Sequence, residues 1–389
     1  MHISICKGKA WSKLGIVTSA ILVVWATLGE MPQDELVMAQ ERECAAAGAV
    51  DAITSAQRLY YFSRDEMPYY LWYVDQMGQH KTAYSVNDDG FIARMSPDGS
   101  KVLVAYAPDE NNKVQIDIVD LPDIAVEHWE LLDAADAAFA SIDWIDNEHI
   151  GYEDVFAEEL VIQDISSREV ITTNWPMPTN FLTGQPYSFL FFSPDYRYVL
   201  YPIMTEAESL EAIRSFELME VSTQTVLAKI TGRPINWSLD SQRVYFFDEE
   251  GSISFLDTTG SITSIPSTEL DDIELANLSG TPTSTFIMAV GQFTPGTVLS
   301  DSIMIFIDTT TGHASDICSY GRYQILERGR FNDQVGIWSG DGNSFAYLMD
   351  TFVGPQIFVF DISEYSLSIA VPFLTNPPVI VGWSQVPPG

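Results

Sequence analysis

Histidine, cysteine and positive charge are what this chain has least of. Five His and three Cys exclude a cysteine-rich zinc module and leave little from which to assemble a three-histidine metal site. Only 19 Lys and Arg stand against 54 Asp and Glu, a net charge of −35, which argues against nucleic acid or an anionic membrane surface as the main partner. The sequence has no Gly-x-Ser-x-Gly nucleophile elbow, no Gly-rich phosphate loop and no dinucleotide fingerprint, so catalytic residues, cofactor and metal are all expected to be none. What the 389 residues do have is 46% hydrophobic and 12% aromatic side chains, enough to bury a large core.

The longest uncharged apolar run, Leu14 to Gly29, follows Lys7, Lys9 and Lys13 and precedes Glu30, Asp34 and Glu35. That asymmetry reads as an export signal with its positive flank in the cytoplasm. Residues 1–39 are therefore a signal peptide, with Val37-Met38-Ala39 as a cleavage site, or an uncleaved signal anchor. Either places the rest in an extracytoplasmic space, secreted or tethered to the membrane. In such an oxidising compartment Cys44 and Cys318 are expected to form a disulfide. Residues 40–57 form a lead-in segment.

From residue 58 onward the chain repeats. Met95-Ser96-Pro97-Asp98-Gly99, Phe192-Ser193-Pro194-Asp195, Trp237-Ser238-Leu239-Asp240 and Trp338-Ser339-Gly340-Asp341-Gly342 share one pattern, with weaker copies at Trp144, Leu278 and Trp383. The leading residues are separated by 49, 48, 45, 41, 60 and 45 positions, the spacing of propeller blades. A second marker alternates with the first: an apolar strand ending on Asp75, Asp120, Asp164, Glu220, Asp257, Asp308 or Asp361. Runs such as Lys101 to Tyr106 and Arg243 to Phe247 supply further strands, giving four per unit, A to D. The Ser-x-Asp-Gly chemistry closes a tight A–B hairpin, so its acids are assigned to structure.

These motifs resemble the WD40-like β-propeller repeats of TolB-type exported bacterial proteins, over roughly residues 58–385. The resemblance implies an all-β fold and no particular activity, since such propellers host unrelated functions. TolB-like proteins carry an additional α/β domain ahead of the propeller, for which residues 40–57 are too few. The first unit lacks strand A, and Val379 to Ser384 is a strand A without successors. Joining them predicts a seven-bladed β-propeller of four-stranded blades, closed by the C-terminal strand in the first blade.

Alternating strand direction puts A–B and C–D turns on one face and the longer B–C and D–A connections on the other. The long-loop face is the expected binding surface. Its candidate contacts are Trp129, Trp175, Tyr187, Tyr320, Arg322, Arg328 and Arg330, aromatics and guanidinium groups suited to a protein or envelope-glycan partner. His80, His128, His149 and His313 fall in four different blades without metal-ligand spacing and read as surface or loop residues. The expectation is a monomeric, non-enzymatic binding scaffold. The alternative is a propeller lyase or hydrolase with acidic residues at the central axis.

Overall fold

The computed structural model describes residues 46–47, 53 and 56–385, apart from 112, 132–141, 155–158, 174–190, 194, 196, 204–214, 239, 267–272, 281–284, 294–301, 324–335, 352 and 373. The apolar run at 14–29 and Cys44 thus lie outside the described residues.

Seven antiparallel blades of four strands are formed, the sixth and seventh fused into one larger sheet. Blade 2 shows the plan: Phe91–Met95, Lys101–Tyr106, Val114–Asp120 and Ala125–Leu131 pair in sequence order. All seven third strands end on the acids that mark the repeat, from Asp75 to Asp361. First strands of successive blades lie against one another, as Phe91–Met95 does with Asp143–Trp144, and Arg233–Trp237 with Ile273–Gly280. They form the inner ring, and the fourth strands form the rim.

Burial explains the composition of the strands. The second strand of blade 2, Lys-Val-Leu-Val-Ala-Tyr, is apolar on both faces because each blade is sandwiched between two neighbours, and all four central residues are buried. Rim strands have no outer neighbour, so Thr225–Thr231 in blade 4 is mostly exposed. The core is accordingly divided into layers. Six apolar clusters among the described residues each fill one junction between adjacent blades.

The ring closes in blade 1, where Val379–Gln385 pairs antiparallel with Gln57–Phe62, ahead of Tyr69–Asp75 and Gly78–Val86. Ile380 and Trp383 enter the layer shared with blade 7, and Val381 enters the layer shared with blade 2. The register shifts by one residue at this point, and Gly382 there has φ +155°. A Cβ on it would approach the Met95 Cβ to 2.6 Å, so only glycine fits without displacement. The lead-in contributes to the same seam. Ile53 is buried in the blade 7 to blade 1 layer, and Ala46–Ala47 adds a short parallel strand to Ser366–Leu367 at the rim of blade 7.

Candidate functional site

The two faces differ as their chemistry requires. On the short-turn face, four motif serines, Ser96, Ser193, Ser238 and Ser339, are buried. Each donates its hydroxyl to the Asp two residues on, for example Ser96 to Asp98 at 2.8 Å and Ser339 to Asp341 at 2.6 Å. Each also accepts the backbone N–H five residues on, closing the hairpin. The C–D turn is then tied to the A–B turn by a backbone bond repeated around the ring, such as Leu121 N–H to Ser100 O at 2.8 Å and Ile362 N–H to Asn343 O at 2.9 Å. The motif acids of this face are thus occupied as turn acceptors.

Their acidity follows from those bonds. Burial opposes ionisation of Asp98, Asp257, Asp308 and Asp341, but backbone N–H groups and neighbouring hydroxyls outweigh it and hold all four below the usual carboxylate value. At Asp164 the Ser167 N–H is the leading cause of the same displacement. A depressed folded-state value means that the stabilisation is present above the unfolded value of 3.8 and is lost as pH falls through the folded one. Thermal melts should therefore change little on account of these acids from neutral pH to about pH 5 and drop below about pH 4, and Asp341→Asn should lessen the drop.

On the opposite face the connections are longer, as the strand ends show: Leu131 to Asp143, Thr173 to Phe191, Pro202 to Ser215 and Tyr323 to Gly336. The A–B and C–D turns skip at most five residues, as between Met95 and Lys101.

The residues singled out from the sequence distribute unevenly over this face. Trp175, Tyr187, Arg328 and Arg330 lie outside the described residues, on the connections from blade 3 to blade 4 and from blade 6 to blade 7. Tyr320 and Arg322 lie not in a loop but at the end of the rim strand of blade 6, Ala314–Tyr323. There Arg322 pairs in register with Asp350 of blade 7, which fuses the two sheets. Cys318 is in that same rim strand.

Trp129 requires a correction. It lies not in a connection but in the rim strand Ala125–Leu131, opposite Ile116 in register, and is only 5% exposed. Its ring fills the layer between blades 2 and 3, with the Arg168 guanidinium 5.3 Å from the ring centre and itself paired to Glu127. It is a packing residue and not an accessible contact.

The most organised polar cluster of the long-loop half lies at the junction of blades 1 and 2, and the sequence did not single it out. Asp117, in the third strand of blade 2, is 6% exposed. Its Oδ2 accepts the phenols of Tyr84 at 2.7 Å and Tyr106 at 2.9 Å. Its Oδ1 lies 2.6 Å from Nδ1 of His128, its direct cross-strand partner. A carboxylate only accepts, so Nδ1 carries the proton, and in the neutral ring Nε2 is left as an acceptor. The His128 side chain is 77% exposed.

Burial is the main reason the pKa values of the Tyr84 and Tyr106 phenols are raised above the ordinary tyrosine value, so both remain donors. Nearer the long-loop end, Tyr69 donates to Asp89, and that bond is the leading cause of a raised phenol there too. Phe62, Tyr69, Tyr84 and Phe91 pack edge to face or tilted beneath these groups, fixing the rings.

At the inner ring the polar groups are fewer. Only two acids, Asp143 and Glu274, and no histidine occur on the seven inner strands. Asp143 accepts the Trp144 N–H at 2.8 Å and lies 3.8 Å from the buried Arg94 guanidinium. The Trp144 indole in turn donates to Arg94 O at 3.1 Å, a bond repeated by Trp383 on Ile337 O. The described inner-ring groups thus serve blade-to-blade contact. Among the described residues no group of three or more His, Cys, Asp or Glu is placed to hold a metal ion.

The architecture is that of a seven-bladed β-propeller. No family model matches the sequence, and no curated protein matches it. Among solved structures, the β-propeller domain of the Trilobed protease from Pyrococcus furiosus superposes with TM-score 0.54 at 14% identity, over 86% of this chain and 99% of that one. TolB from Acinetobacter baumannii gives TM-score 0.41 at 13% identity, covering 85% and 67%. Oligogalacturonate lyase from Vibrio parahaemolyticus gives 0.49 at 14%, covering 83% and 86%. Such likenesses show the fold alone, and the neighbours comprise both enzymes and non-enzymes.

Proposed function

We propose that this protein is an exported binding propeller that presents its long-loop face to a protein or envelope-glycan partner. The observation that carries the reading is the division of labour between faces. The A–B and C–D turns, none longer than five residues, are all on one side, and every connection longer than five residues is on the other. A rigid ring with variable connections on one rim is the physical form of a recognition scaffold.

The enzymatic alternative needs acids free to react at the axis. Of the two acids on the inner strands, Asp143 is engaged by Arg94 and Trp144.

The reading is tested by capture from the native envelope with variants on the two faces. Trp175→Ala, Arg328→Ala and Arg330→Ala should each weaken capture by about tenfold where the residue is an anchor, with the melting temperature unchanged. Met77→Ala, at an 89% exposed turn on the opposite face, should leave capture intact. Loss from Met77→Ala with retention in the other three would reverse the assignment.

A further inference from the structure

We propose that the outer junction of blades 1 and 2 is a binding site for a neutral, hydroxyl-rich glycan, with Nε2 of His128 accepting a hydrogen bond from a sugar hydroxyl. The proposal deepens the binding reading above and rests on it for its biological setting.

The first support is the placement of Asp117. Across the sheet, its row consists of Ala93, Val104 and His128, and the row below pairs Val102 with Val119. An apolar side chain would suit this layer, and burying a carboxylate is costly unless it is fully bonded. Three donors from two blades meet that requirement. The arrangement fixes one imidazole on the protein surface in one tautomer and one orientation.

The second support is charge. Around His128, Glu130 is paired with Lys113, while Asp88 lies near enough to Tyr106 to raise its phenol. The nearby cation is already matched and acceptors are in excess, so an anionic ligand is disfavoured. A hydroxyl group can donate to Nε2 and to carboxylate oxygens, and it can accept from Gln115, which is exposed beside Glu130. The half-buried Tyr106 ring, held by its bond to Asp117, borders this surface.

The test uses the full chain with hexasaccharides of glucose and of N-acetylglucosamine, and a hyaluronate hexasaccharide as the anionic counterpart, by titration calorimetry. The expected result is binding of a neutral hexasaccharide, weakened about tenfold in His128→Ala, measured at a temperature where circular dichroism shows that variant folded. His128→Gln, whose amide keeps a donor for Asp117 and an acceptor for the ligand, should retain more of the binding than His128→Ala.

No binding of either neutral hexasaccharide, preferential binding of hyaluronate, or neutral binding indifferent to His128→Ala would each overturn the proposal. Its failure is distinct from failure of the long-loop reading, because the Trp175, Arg328 and Arg330 variants report on that face independently.

Discussion

Deleting residues 379–389 is expected to abolish cooperative thermal unfolding above room temperature. The deletion removes three side chains that are at most 6% exposed, Ile380, Val381 and Trp383, drawn from two different interblade layers. At roughly 1.5–3 kcal/mol for each buried side chain, the loss is about 5–9 kcal/mol before any backbone bond is counted. That is comparable to the whole stability of a typical domain, about 5–15 kcal/mol. It also strips Gln57–Phe62 of its ladder partner, leaving an unpaired edge between Leu59, Tyr60 and Tyr61, all buried in the closed ring. Calorimetry and circular dichroism provide the check. A melting temperature within a few degrees of the full chain would mean that the ring does not depend on this strand.

The second large effect is expected at Trp338. It ends the inner strand Gly336–Trp338, is 5% exposed, and its ring lies 4.8 Å from that of Phe345 in the layer between blades 6 and 7. Trp338→Ala should cost about 3–5 kcal/mol, because the surrounding rings Phe345, Tyr347 and Phe360 are held by their own strands and cannot collapse into the void. Urea titration should show a lower midpoint with unchanged slope. Trp338→Phe, which keeps part of the ring, should recover a large share. A cost below about 1 kcal/mol for the alanine variant would show that the aromatic position of the repeat is not a packing position.

Much of the ring was legible because its signals are local. The serine hydroxyl, the acid two residues later and the backbone N–H five residues later form one small loop of bonds within six residues, and that loop recurs. The missing first strand at Arg58 and the spare strand at Val379 likewise specified the closure without any long-range information.

What escaped was information carried by neighbours. Ala125–Leu131 reads Ala-Val-Glu-His-Trp-Glu-Leu, polar enough to look like a loop, yet strand pairing puts Trp129 into one layer and His128 opposite Asp117 on the other side. Tyr84, Tyr106, Asp117 and His128 come from two blades and share no spacing that a repeat search could detect. Only the face-to-face packing of blades brings two phenols onto one carboxylate. The packing of the lead-in escaped as well, because Ile53 and the Ala46–Ala47 pair lie outside the repeat that marks the blades.

The position of the closing strand also has a consequence in time. A ribosome supplies the chain from residue 1 onward, so Gln57–Phe62 is made more than three hundred residues before its partner Val379–Gln385. Until Val379–Gln385 emerges, blade 1 can assemble at most three of its four strands, and its aromatic edge has no partner. Arrival of that strand, and not the folding of any single blade, is what lets the ring close.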